Sequence, residues 1–104
     1  MDHPDLCPPD YRQASAQDAL DATRRFIHAV RALPGNEAGL VQPVITPRFI
    51  PACSDALLNG LGALAAEMNV RVQTHASESD WEHHHVLERT GKTDTSALDT
   101  FGLL

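Results

Sequence analysis

The run Val70-Arg71-Val72-Gln73-Thr74-His75-Ala76-Ser77-Glu78 constrains this chain more than any other stretch. Its β-branched residues predict a strand near 70–75, and the period of two sends Val70, Val72 and Thr74 to one face and Arg71, Gln73 and His75 to the other. One face is apolar and the other chemical. A histidine at the C-terminal end of a strand, with a glutamate just beyond it, is how the mouth of an α/β barrel holds a metal and moves a proton. The flanking segments then have to supply barrel scaffold. With 104 residues there is enough chain for one core, but not for a whole eight-stranded α/β barrel of about 250 residues.

Pro4, Pro8 and Pro9 among Asp2, Asp5 and Asp10 predict an irregular lead-in over 1–14 without regular hydrogen bonding. Ser15 and Asp18 form a capping pattern, and Ala19, Thr23, Phe26, Ile27, Val30 and Leu33 recur at helical spacing, which predicts a helix over 16–33 that Pro34-Gly35 stops. A first strand is predicted near 40–46, with Pro43 removing one ladder donor, and Pro47-Arg48-Phe49-Ile50-Pro51 leaves it as a constrained loop. Ser54 caps a helix carrying a stripe of Leu57, Leu61, Leu64 and Met68. Gly60 and Gly62 inside that helix imply a close approach to a sheet.

After the second strand, Ser79 and Glu82 repeat the capping pattern ahead of a helix that buries Trp81, Val86 and part of His85 and ends at Gly91. Thr95 is expected to cap a last short turn through Ala97, Leu98 and Phe101. The order helix, strand, helix, strand, helix over 15–104 predicts the α/β class with parallel strands, in one unit covering 1–104.

A net charge of −6 and a pI near 5.3 exclude a basic patch that would neutralise nucleic-acid phosphates. No stretch has the roughly 18–20 apolar residues of a membrane span, and Met1-Asp2-His3-Pro4-Asp5 lacks the basic and apolar regions of a leader. Cys7 and Cys53 are far apart and in no metal-finger spacing, which fits a reduced compartment, so a cytoplasmic location is expected.

A strand-end histidine is more often a hydrogen-bonded structural residue than a ligand, but Glu78 follows His75 on the loop above the same strand end. A metal ligand beside a carboxylate that is not itself a ligand is what a hydrolase needs, since the carboxylate carries the proton that activated water gives up. As a structural residue, Glu78 would be a solvated charge near a helix N-terminus. Arg48 has two readings of equal weight: a surface cation, or a donor fork stiffened by Pro47 and aimed into the same mouth. His83-His84-His85 resembles a metal cluster, yet consecutive helix positions lie about 100° apart, so a solvated face with His85 partly packed is expected. Cys53, ahead of a helix, has a position that can lower a thiol pKa; Met68 reads as core and His28 as scaffold.

These residues carry a family resemblance. Val44-Ile45-Thr46-Pro47-Arg48-Phe49, then Ala52-Cys53-Ser54 and a leucine-rich helix, then Gln73-Thr74-His75-Ala76-Ser77-Glu78-Ser79, resemble the guanine deaminases of the metal-dependent amidohydrolase superfamily. The lead-in, with Pro9-Asp10-Tyr11, is similar to the segment before the third barrel helix in that family. The resemblance implies a partial (β/α)8 TIM-barrel segment. His75 would be a zinc ligand, Glu78 the catalytic proton carrier, Arg48 the donor to the guanine carbonyl, and Phe49 a wall of the base pocket. The substrate would be guanine, hydrolysed to xanthine and ammonia in purine catabolism, and the complete enzyme a homodimer.

The family's zinc site also draws on an HxH pair and on a histidine and an aspartate from strands that have no counterpart here. The expectation is an internal segment running from the third to the fifth barrel helix, inactive alone. Within the superfamily the alternative is a deaminase or chlorohydrolase acting on 8-oxoguanine or a triazine. Outside catalysis the alternative is a non-catalytic remnant or an interaction module.

Overall fold

The computed structural model describes Met1–Leu104. Helix α1 (Ala16–Arg31) begins where Ser15 Oγ accepts the Asp18 N–H at 3.0 Å, as the capping pattern required. It buries Ala19 and Ile27, but Phe26 and Leu33, expected on the buried stripe, are half exposed because they lie beside that line and no element covers them. The helix stops at Arg31, short of residue 33, and the Arg31 guanidinium donates to the Met68 carbonyl at 2.7 Å.

Strand β1 (Val44–Ile45) is followed by helix α2 (Asp55–Met68) and strand β2 (Arg71–Val72), with β1 and β2 paired in parallel, Val44 opposite Arg71 and Ile45 opposite Val72. Both strands are much shorter than the ranges 40–46 and 70–75 expected from the sequence. The cause lies in the backbone donors. Asn36 Oδ1 accepts the Val41 N–H at 2.8 Å and its Nδ2 donates to the Val41 carbonyl at 2.9 Å, so a side chain holds both groups a strand would use. Pro43 and Pro47 contribute no N–H at all. Beyond the ladder, pairing continues as separate bonds: Gln73 N–H to the Ile45 carbonyl and His75 N–H to the Arg48 carbonyl, each at 3.0 Å.

The alternation of β2 is as its sequence dictates. Val70, Val72 and Thr74 are half-buried, while Arg71, Gln73 and His75 are exposed. Helix α2 is the centre of the core, with Leu57, Leu58, Leu61 and Leu64 buried against Ile27, Ile45, Ile50 and Val86. The glycines of α2 have a different reason from the expected sheet. A Cβ on Gly60 would meet the Leu20 side chain of α1 at 2.5 Å, and one on Gly62 would meet the Phe101 carbonyl oxygen at 1.9 Å.

The lead-in is tied down rather than merely irregular. Pro9–Tyr11 forms a 3-10 turn, Cys7 is buried, and the Asp2 carboxylate accepts both the Ser54 N–H at 2.7 Å and the Ser54 hydroxyl at 2.6 Å. Ser54 Oγ in turn accepts the Leu57 N–H and caps α2. Asp2 therefore fixes the cap that fixes the central helix.

Helix α3 (Asp80–Thr90) is capped by Ser79 and ends at Gly91, whose φ of 70° is the left-handed stop expected of glycine. Val86 is buried, whereas Trp81, expected in the core, is 52% exposed and stacks on His85 with ring centroids 5.2 Å apart. Helix α4 (Asp94–Thr100) starts after Thr93, not Thr95, because Asp94 is drawn into the interior at the first helical position. Arg89 joins α3 to the far side of β1: it donates to the carbonyls of Cys53 (2.8 Å) and Ile50 (3.2 Å) and pairs with Asp55.

The two α2 glycines should respond differently to a methyl group. Gly62→Ala forces backbone against backbone, and a loss of about 1–3 kcal/mol is expected, the usual cost of overpacking. Gly60→Ala meets the movable end of Leu20 and regains about 1 kcal/mol of helix propensity, so its urea midpoint should lie well above that of Gly62→Ala. Equal midpoints would contradict the packing described.

Candidate active site

The C-terminal ends of β1 and β2 meet at a single acceptor, the carbonyl oxygen of Arg48. It receives the His75 N–H at 3.0 Å and His75 Nδ1 at 2.9 Å, and Thr74 Oγ1 lies 3.3 Å away. A carbonyl can only accept, so in the neutral ring Nδ1 carries the proton and the lone pair resides on Nε2. An imidazole fixed in this way by a backbone carbonyl has the orientation and tautomer that metal-ligating histidines use. His75 is exposed, with Nε2 free of protein partners.

Arg48 and Phe49 sit on the facing strand end. The Arg48 guanidinium carbon lies 5.5 Å from the Phe49 ring centroid, within cation-π range. No hydrogen bond or ion pair within the chain engages the Arg48 guanidinium or the Glu78 carboxylate. Both are exposed. The parallel pairing thus brings one fixed imidazole, one free carboxylate and one free donor fork to the same end of the sheet.

Past His75 the backbone turns sharply. Ser77 has φ 54°, in the left-handed region that a residue with a Cβ seldom adopts. Two buried carboxyls hold this turn. The Glu78 N–H donates to Glu82 Oε2 at 2.9 Å, and the Ser77 N–H to Asp94 Oδ1 at 3.3 Å. Asp94 Oδ2 also lies 3.2 Å from His83 Nδ1. Glu82 and Asp94 are 1% and 0% exposed. Burial, chiefly, pushes the Glu82 carboxyl above the usual carboxylate range, and the neighbouring Asp94 adds to the effect while the Glu78 N–H opposes it.

Sequence reasoning gave Glu82 only a capping role and gave Asp94 none. Half of the capping box is present, since Ser79 Oγ accepts the Glu82 N–H at 3.1 Å. The reciprocal bond, however, lands on the Glu78 N–H, one residue outside the cap. The pattern itself hides the difference, and nothing local marks Asp94. The three adjacent histidines take separate partners: His83 faces Asp94, His84 Nδ1 lies 2.6 Å from the Asp80 carbonyl, and His85 stacks on Trp81. No group of three or more His, Cys, Asp or Glu side chains is placed to hold a metal ion. Cys53 departs from the lowered pKa its place before a helix suggested. It is fully buried, and burial pushes its thiol up to about 11.

Residues 5–103 match the amidohydrolase family. The chain is 44% identical over 84 residues to a probable guanine deaminase of Schizosaccharomyces pombe, covering 80% of this chain and 16% of that protein. It is 33% identical over 98 residues to guanine deaminase of Homo sapiens, covering 92% of this chain and 21% of that one. The crystal structure of guanine deaminase from C. acetobutylicum, with guanine bound in its active site, superposes on 99% of this chain and uses 23% of its own, with a TM-score of 0.83 and 32% identity. The chain therefore spans about a fifth of the length of the relatives it matches. No helix is long and apolar enough to cross a membrane.

The buried carboxyl has a consequence for stability. Unfolded, Glu82 releases its proton in the ordinary carboxylate range; folded, it holds it to higher pH. Between those values the folded state binds more protons than the unfolded one, so stability falls as pH rises through the window. Glu82→Gln lacks this dependence, and its urea midpoint relative to the unsubstituted chain should rise as the pH climbs above the ordinary carboxylate range. A constant difference over that climb would show that Glu82 ionises as freely folded as unfolded.

Proposed function

The chain belongs to the amidohydrolase family, and from that premise we propose that it is the substrate- and proton-handling segment of a guanine deaminase, an enzyme that hydrolyses guanine to xanthine and ammonia. The observation that carries this is the meeting of β1 and β2 at the Arg48 carbonyl, which leaves His75 Nε2, the Glu78 carboxylate and the Arg48 guanidinium unengaged at one strand end. The likeness to guanine deaminases over nearly the whole chain supports the purine as substrate. The α/β unit would then be part of a (β/α)8 barrel, whose chemistry resides at the C-terminal ends of the strands.

His75 fits one place in a zinc site through Nε2. A catalytic zinc takes three protein ligands in the usual case, so the remaining ligands come from outside these residues. When bound, zinc supplies a nucleophile from water at neutral pH. The chain's own residues do the rest. Arg48 donates to the guanine carbonyl and orients the ring, and Phe49 packs against the base while stiffening the Arg48 side chain. Glu78 would take one proton that water gives up and deliver it to the purine ring nitrogen, then take the second from the hydroxyl now on the ring carbon and pass it to the amino group, which departs as ammonia as the carbonyl forms. The complete enzyme is proposed as a cytoplasmic homodimer.

The 104-residue chain incubated with guanine and zinc should give no xanthine, and clear turnover would contradict the proposed division of the zinc ligands. Activity is tested by grafting residues 5–103 in place of the equivalent segment of the C. acetobutylicum enzyme. In that chimera His75→Ala should lose zinc. Glu78→Gln should keep zinc and lose kcat by about 10²-fold or more, the usual worth of a positioned proton carrier. Arg48→Ala should raise KM for guanine and erase the preference for it over analogues lacking the carbonyl. Full activity of Glu78→Gln would refute the assigned chemistry.

A further inference from the structure

We propose that Glu82 and Asp94 are positioning residues, a buried two-carboxyl clamp that holds the Ser77-Glu78 backbone and thereby aims the Glu78 side chain over the end of β2. The inference rests on the role given to Glu78 above, and adds to it the part of the fold that fixes where that carboxylate starts.

Four observations converge on the clamp. Consecutive amides, Ser77 and Glu78, donate to two different buried carboxyls, one from α3 and one from α4. Loop amides ordinarily have water for this purpose. Second, Ser77 is held at φ 54°, which orients both amides inward and which a residue with a Cβ leaves unless its surroundings enforce it. Third, the Glu82 bond bypasses the Ser79 amide that a capping box would serve. Its purpose is the loop, not the helix end. Fourth, Glu82 Oε1 has no donor facing it, although the residue is 1% exposed.

The last point explains how two carboxyls share one interior. Two ionised groups there would repel each other and leave acceptors unsatisfied. Burial and the nearby Asp94 carboxylate both favour the neutral acid on Glu82, while Oε2 accepts from the Glu78 N–H. The titratable groups around Glu82 are Asp94 from α4, His83 on its own helix through Asp94, and Glu78 on the loop. His83 closes the arrangement by holding the second Asp94 oxygen. Each helix therefore grips one amide, and the pair of helices is held together by the same groups.

Amide hydrogen exchange read by NMR on the 104-residue chain tests the clamp without purine or metal. The Glu78 N–H should exchange at least about tenfold slower than an open amide. Glu82→Ala should abolish that protection, and Glu82→Gln, which keeps an acceptor oxygen and the shape of the protonated acid, should restore it. Unchanged protection in Glu82→Ala, or equal loss in both variants, would overturn the proposal. Should Glu82→Ala fail to fold, the unsubstituted chain still decides: the Glu78 amide proton shift and the Glu82 carboxyl carbon shift should titrate with one midpoint, and an amide indifferent to that titration would overturn it. A failed clamp shows in these spectra, whereas a failed deaminase assignment shows in the turnover of the chimera.

Discussion

Everything chemical in this segment depends on one carbonyl oxygen. Past the proline-bracketed end of β1, the Arg48 carbonyl receives both the backbone N–H and Nδ1 of His75. The first bond extends the parallel pairing past the two-residue ladder. The second chooses the imidazole tautomer. Strand register and ligand chemistry are thus set by the same atom, and a slip of one residue would turn His75 to the face that Val70 and Val72 now occupy and turn those valines outward.

The scaffold behind that atom is built by close approach. Helix α2 brings β1 and β2 together, and its two glycines let α1 and the C-terminal turn press against its backbone. Arg89 ties α3 to the carbonyls just after β1, and Asp2 secures the α2 cap from the lead-in. The Arg48 guanidinium and the Glu78 carboxylate are left free of internal partners, while several charged side chains of the scaffold are engaged. Arg24 and Glu67, for example, form a bidentate pair on the outer face at 2.7 and 2.9 Å, worth little in energy at that exposure but keeping α1 in register with α2.

Much of this was legible in the sequence, and the rest was hidden for specific reasons. Period-two alternation placed His75 on the exposed face, capping patterns found the starts of α1, α2 and α3, and the strand–helix order gave parallel pairing. The lengths of the strands were not legible, because Asn36 takes over both backbone groups of Val41 through a side-chain contact that no periodicity encodes. Trp81 was placed on the buried side of its helix and Phe26 on the helical spacing of its stripe, though both are half exposed. Gly60 and Gly62 signalled a close approach but not its partner. Glu82 satisfied a capping pattern so well that its second bond, to Glu78, could not be suspected, and Asp94 reaches it only through the packing of α4 on α3.

The central claim is that the Arg48 carbonyl fixes His75 with its proton on Nδ1 and its lone pair on Nε2. Long-range 1H–15N NMR of the neutral imidazole, recorded on the 104-residue chain, reads the tautomer directly. The account predicts a protonated Nδ1 and a bare Nε2 for His75. A ring protonated on Nε2, or an even mixture of the two forms, would contradict it.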